Sequence, residues 1–229
     1  MLNDLVTFSP VHHSAFIIDH SLMGFLFPSA LYPIADTLGN AQRSYLAVAE
    51  AMLAGGAPLL QLRAKDQPTA HFVDIARAVK AAADRRGARL IINDRADIAA
   101  LVDAAGVHLG QDDLPPAAAR ALLGPDKIIG LSTHSLAQAE AAARAGIADY
   151  IGFGPIFPTT SKARPDPVQG LDGLRAVRRR VALPMVAIGG ISARSMPAVL
   201  AAGADAVAMI GELVQASDIA ATVRLLLGS

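Results

Sequence analysis

The chain has no cysteine. Disulfides, thiolate metal sites and thiol nucleophiles are therefore excluded, and nothing in the composition conflicts with a reducing, cytoplasmic setting. Charge excess is also missing: Lys and Arg total 20, Asp and Glu total 20, and the formal net charge is zero. No general basic field draws in nucleic acid or anionic lipid, so any anion has to be met by local groups. Residues 1–42 contain no Lys or Arg, which removes the basic n-region of a secretory signal. The apolar stretch 15–27 is broken by Asp19 and His20, whereas a spanning helix needs about 20 uninterrupted apolar residues. The expectation is a cytoplasmic protein acting on small molecules, with no nucleic-acid or membrane partner.

What is present is mostly apolar. Of 229 residues 53% are hydrophobic and 17% charged, which suits one large buried core. Residues 1–30 stand apart as an N-terminal extension whose apolar residues, Phe16, Ile17, Ile18, Phe25, Leu26 and Phe27, suit covering one end of the domain or a partner copy in a homo-oligomer. His12, His13 and His20 lie there without a carboxylate at ligand spacing, so packed or solvated histidines are expected rather than a metal site.

From residue 31 onward a rhythm begins. Short apolar runs at 31–34, 58–62, 89–92, 106–109, 127–131, 150–153, 185–188 and 206–210 read as buried strands. Helical segments at 42–54, 69–86, 96–104, from Pro115, 135–145, 171–180, 196–202 and 217–227 follow them in turn. The phrases AGGAPLLQLR, AAGVHLG, ARAGIADYIGFG and LAAGADAVAMIG repeat one unit of helix end, glycine, short loop and buried strand. Eight such units predict a (β/α)8 TIM barrel over 31–229. A doubly wound open sheet is the alternative, weakened because no dinucleotide-binding glycine pattern follows the first strand.

In such a barrel the chemistry lies at the C-terminal strand ends. The stretch 89–113 is the most telling, since one βαβ unit delivers Asn93 and Asp94 from one strand and Gln111 and Asp113 from the next. Right-handed crossovers set those strands side by side, so Asp94 and Asp113 are expected to meet. Two adjoining carboxylates repel unless a cation lies between them, and hard oxygen ligands suit Mg²⁺. Helix capping is the plainer role for each acid alone. Strand alternation sends Gln61, Arg63 and Lys65 to one side, a set suited to a diphosphate.

Ser132 and His134 end the fifth strand, and the loop 154–169 carries Thr159, Ser161 and Lys162 as a candidate lid. Gly189 with Gly190, and Ile210 with Gly211, stand where barrels often hold a phosphate on backbone N–H groups. If Asp94 and Asp113 neutralise one Mg²⁺, then Arg63, Lys65 and Lys162 face a diphosphate while backbone dipoles take a second anion. His108, mid-strand, reads as a packed or hydrogen-bonded barrel residue.

Six ordered motifs carry a resemblance to a known family. They are Gln61-Leu62-Arg63-Ala64-Lys65, Ile92-Asn93-Asp94-Arg95, residues 106–113 (GVHLGQDD), 130–135 (GLSTHS), 154–162 (GPIFPTTSK) and 186–191 (VAIGGI). In these the chain closely resembles thiamine phosphate synthases. The resemblance implies a (β/α)8 barrel joining 4-amino-5-hydroxymethyl-2-methylpyrimidine diphosphate to 4-methyl-5-(2-phosphoethyl)thiazole, with release of diphosphate. It implies Gln61, Arg63, Lys65, Asn93, Ser132 and Lys162 on the pyrimidine diphosphate, and Asp94 and Asp113 on Mg²⁺. Thr159, Ser161, Gly189 or Gly190, Ile210 and Gly211 would then take the thiazole phosphate. The implied chemistry is a dissociative path through a pyrimidine carbocation, with Arg63, Lys65, Lys162 and Ser132 in the catalytic roles. Two departures stand out: Thr159-Thr160-Ser161-Lys162 replaces the family's Thr-x-Thr-Lys, and Gly211 replaces a usual serine. Rival readings are a thiazole tautomerase of the same fold, which has no need of Arg63, Lys65 and the acid pair together, and a non-catalytic phosphate-ligand sensor.

Overall fold

The computed structural model describes residues 25–37, 40, 42–65, 67–159 and 166–228. Eight strands occur among them: β1 (Leu31–Ala35), β2 (Leu59–Leu62), β3 (Arg89–Asn93), β4 (Gly106–Leu109), β5 (Ile128–Thr133), β6 (Tyr150–Phe153), β7 (Met185–Ala187) and β8 (Ala206–Met209). Each pairs in parallel with the next, and β8 pairs with β1. The sheet closes, as the eightfold repeat predicts, and the open-sheet alternative falls. Nearly every strand residue is buried, because one face looks into the tube and the other onto the helices.

The helices are α1 (Tyr45–Ala54), α2 (Thr69–Asp84), α3 (Ala96–Leu101), α4 (Pro116–Leu123), α5 (Leu136–Ala145), α6 (Gly170–Arg180), α7 (Met196–Ala201), α8 (Gly211–Val214) and α9 (Ile219–Leu227). Local chemistry sets several of their ends. Ser44, Ser135 and Asp218 accept hydrogen bonds from Ala47, Gln138 and Ala221 N–H at 3.1, 3.2 and 2.9 Å, which satisfies donors that the first turn leaves over. Gly146 and Gly228 close α5 and α9 in the left-handed conformation that glycine adopts at no steric cost. The short α8 was not expected from the sequence, since four residues show no period.

Residues 1–24, and with them His12, His13 and His20, lie outside the described residues. From Phe25 the chain can be followed into the N-terminal mouth of the barrel. The Phe25 ring lies 5.3 Å from Tyr150 and that of Phe27 5.1 Å from Tyr150 and 5.8 Å from Tyr32. Val207 N–H then bonds Ala30 O at 2.8 Å and hands the segment on to β1. Phe25 and Phe27 thus cover one end of the tube, whereas Phe16, Ile17 and Ile18 lie outside the described residues and Leu26 is exposed.

Candidate active site

At the opposite end a cavity of about 880 Å³ opens among the C-terminal strand ends. Gln61, Arg63, Lys65, Asn93, Asp94, Asp113, Ser132, Thr159, Gly189, Gly190, Ile210 and Gly211 all line it. Ser161 and Lys162 lie outside the described residues. The sequence-selected residues that are described therefore share one hollow, with walls drawn from every strand.

The acid pair occupies one side of it. Asp94 adopts φ +63°, a left-handed conformation uncommon for a non-glycine residue, and its N–H is held by His108 O at 2.8 Å. That turn swings the carboxyl toward Asp113. Burial, then the Asp113 carboxyl, push the Asp94 pKa up from 3.8 to about 6, with Lys65 acting against them. Lys65 Nζ stands 3.5 Å from Asp94. Asp113 in turn accepts from Gly110 N–H at 2.6 Å, and a Cβ on Gly110 would come within 2.9 Å of its carboxylate oxygen. Neither acid caps a helix, since Arg95 and Pro115 occupy the N-cap positions of α3 and α4 without side-chain cap bonds. The capping alternative is therefore discarded.

Among the described residues no group of three or more His, Asp or Glu is placed to hold a metal. Two adjoining carboxylates, one of them protonated more readily than usual, still form a hard-oxygen donor set that the half-exposed Lys65 matches only in part. Such a set fits Mg²⁺, which takes one or two protein carboxylates and fills its shell with water and substrate phosphate.

Arg63 lines the cavity and has a partner behind it. Its guanidinium is paired with the carboxylate of Asp36, which is 4% exposed. Asp36 stands just past β1, outside the cavity lining, and orients Arg63 toward the cavity from behind. Sequence reading passed over Asp36, although its place after a strand is the one that singled out Asp94. Ser132 Oγ lies 2.9 Å from His108 Nε2, while Gln111 donates to Ser132 O at 2.6 Å. His108 is thus hydrogen-bonded, as expected, but it also reaches the cavity wall. His134 Nδ1 lies 2.8 Å from Gly154 O and 3.6 Å from Asp166, so it ties both ends of the long loop.

Across the cavity Gly189 and Gly190 have φ +97° and +64°. A Cβ on Gly190 would stand 2.4 Å from Pro158 O, so backbone alone fits under the loop. Ile210 leads into α8, whose first N–H groups have no carbonyl within their own helix.

Comparison with known proteins accords with this geometry. A family model described as thiamine monophosphate synthase matches residues 31–213. A thiamine-phosphate synthase of Chloroflexus aurantiacus is 46% identical over 196 residues, covering 86% of this chain and 90% of its own. One from Moorella thermoacetica is 44% identical, covering 86% and 93%. The solved thiamine phosphate pyrophosphorylase of Pyrococcus furiosus superposes with a TM-score of 0.76 at 35% identity, over 86% of this chain and 92% of that one. The chain belongs to the thiamine monophosphate synthase family.

Proposed function

We propose that the protein transfers a pyrimidinylmethyl group from 4-amino-5-hydroxymethyl-2-methylpyrimidine diphosphate to the nitrogen of 4-methyl-5-(2-phosphoethyl)thiazole, giving thiamine phosphate and diphosphate. The observation that carries this reading is the Asp94–Asp113 contact, a carboxylate pair short of a cation beside Lys65 and an Asp36-braced Arg63. A proton-transfer enzyme acting on one phosphorylated thiazole has no use for that cluster. We assign the barrel from Leu31 onward as the catalytic unit and the cytoplasm as its place of action.

In this mechanism bound Mg²⁺ supplies charge neutralisation and Lewis acidity at the diphosphate. Arg63, Lys65 and Lys162 stabilise the negative charge that grows on the departing diphosphate. Asp36 holds the Arg63 guanidinium in one orientation, so less rotamer freedom is lost when the anion binds. Gln61, Asn93 and Ser132 orient the pyrimidine, whose amino group can feed electrons to the carbon that loses its leaving group. The resulting path is dissociative. Thr159, Ser161, Gly189, Gly190, Ile210 and Gly211 hold the thiazole phosphate and so bring the thiazole nitrogen to that carbon. No general base is needed, because the attacking nitrogen carries no proton.

The test is product formation from the two substrates with Mg²⁺, followed by chromatography. Thiamine phosphate should form with Mg²⁺ and disappear in EDTA. Full activity in EDTA would overturn the metal assignment. Isomerisation of the thiazole phosphate without coupling would overturn the transferase.

A further inference from the structure

Below the charged mouth, five polar side chains run across the barrel interior. Gln61 Nε2 donates to Tyr32 Oη at 3.2 Å, and Tyr32 Oη lies 3.0 Å from Tyr150 Oη. Tyr150 Oη lies 3.0 Å from His108 Nδ1, and His108 Nε2 lies 2.9 Å from Ser132 Oγ. Both phenols are essentially buried, and burial first of all pushes each of them well above its ordinary pKa, so each keeps its single proton.

The proton count gives the row a direction. The Gln61 amide nitrogen can only donate, so Tyr32 accepts there and its own proton goes to Tyr150. Tyr150 must then donate to His108 Nδ1. That leaves a neutral imidazole with its proton on Nε2, which donates to Ser132 Oγ. The Ser132 proton is turned away from His108, toward the cavity that Ser132 lines. Run the other way, the row would bring two donors to Tyr32 and leave the Tyr32 proton no place in it.

Two absences of a side chain make room for these bonds. A Cβ on Gly130 would lie 2.2 Å from Tyr150 Cζ and 2.5 Å from His108 Nδ1, inside the bond itself. On Gly152 it would lie 3.0 Å from His108 Cε1. Phe25 and Phe27 pack on the Tyr150 ring from below. Tyr150 is not part of the cavity wall, so it acts only through its neighbours.

We propose that this row is a one-way hydrogen-bond relay that presents Ser132 as a hydroxyl donor to the ligand, with Tyr32 and Tyr150 as positioning residues. The recipient is an acceptor atom of the bound heteroaromatic diphosphate, a ring nitrogen or a phosphate oxygen. Only the identity of that ligand rests on the function proposed above.

¹⁵N NMR of the ligand-free protein tests the relay without any assay of activity, with His108 assigned by the signal lost in His108→Asn. The wild type should show the Nε2–H tautomer alone. Gln61→Glu, which replaces the donor by an acceptor, should reverse the row and give Nδ1–H. Tyr150→Phe keeps the ring and removes the link, so both tautomers should appear. In that variant kcat/KM for the pyrimidine diphosphate should fall about tenfold, with KM for the thiazole phosphate unmoved. An Nδ1–H tautomer in the wild type overturns the relay, as does a Tyr150→Phe spectrum and KM identical to wild type. If no thiamine phosphate forms but the tautomers behave as stated, the relay stands and the assigned reaction falls.

Discussion

Asp149 and Asp205 at one end of the barrel and Asp94 and Asp113 at the other do opposite things. At the strand starts, Asp149 accepts from Arg120 at 2.7 Å and from Ile129 N–H at 2.7 Å. Asp205 repeats the pattern one quarter-turn of the barrel later, accepting from Arg178 at 2.9 Å and Met185 N–H at 2.8 Å. Each of these carboxylates meets one guanidinium and one backbone donor from the neighbouring strand, and it locks strand to strand. At the strand ends, Asp94 and Asp113 face each other, and among the described residues the cation paired with them is the half-exposed Lys65, 3.5 Å from Asp94. The same side chain in the same fold is satisfied in the first pair, as it is in Asp36 against Arg63, and left short of positive charge in the second. An arrangement held against such repulsion implies a ligand that relieves it.

Substitution can break this comparison at its strongest point. Asp113→Asn keeps an oxygen for the Gly110 N–H but removes the charge, so it should lower kcat by about 10³-fold or more while circular dichroism stays unchanged. Near-normal turnover would make the strand-end pair structural, like its counterparts below. Asp149→Ala should do the reverse. It leaves the Ile129 N–H without its acceptor, while Arg120 keeps the carbonyl oxygens of Gly124, Pro125, Lys127 and Ile147, so unfolding free energy in urea should drop by about 2 kcal/mol with turnover per folded molecule unchanged.

A smaller effect separates the ends by pH. Asp94 is held at about 6 in the folded chain against 3.8 ordinarily, so the folded state keeps this proton to higher pH than the unfolded state does. Its stabilising effect is complete below pH 4 and fades as pH rises through about 6. Without metal, Asp94→Asn should therefore stabilise the protein at pH 7, by on the order of 1–2 kcal/mol once screening by solvent is allowed for. At pH 4 it should change nothing. Thermal melts in EDTA at the two pH values decide this, and a gain equal at both would remove the Asp94–Asp113 repulsion from the argument.

Most of the architecture was legible because strands buried on both faces write themselves as apolar runs, and glycines mark several helix ends, those of α1, α4, α5 and α9 among them. The strand-end residues were legible once closure was assumed, since parity along a strand fixes which side chains look inward. Asp36 escaped notice because its partner, Arg63, is 27 residues away and no pattern links them. The polar relay escaped for the same reason, its Tyr32–Tyr150 link joining positions 118 residues apart. A trace of it was nevertheless present. In the parallel register His108 lies beside Gly130, Gly130 beside Tyr150 and Ser132 beside Gly152. Two glycines at inward positions next to a histidine and a tyrosine are the space those rings need.

The smallest predicted effect concerns the second anion, on the side of the cavity that uses backbone in place of charge. Gly211 opens α8, and a Cβ there would meet only Gln215 Nε2, at 3.9 Å, so a side chain fits without displacement. Gly211→Ser supplies the hydroxyl that the family resemblance implies there and adds one donor to the proposed thiazole-phosphate site, beside its N–H groups and the Thr159 hydroxyl. A single hydrogen bond to a phosphate oxygen, made where backbone donors already act, contributes about 1 kcal/mol. KM for the thiazole phosphate should therefore fall about fivefold, with KM for the pyrimidine diphosphate unmoved. Any Ser also stiffens the first turn of α8, and Gly211→Ala reproduces that effect without the hydroxyl. If alanine lowers KM as far as serine does, helix rigidity accounts for the gain and the backbone already fills the donor's place.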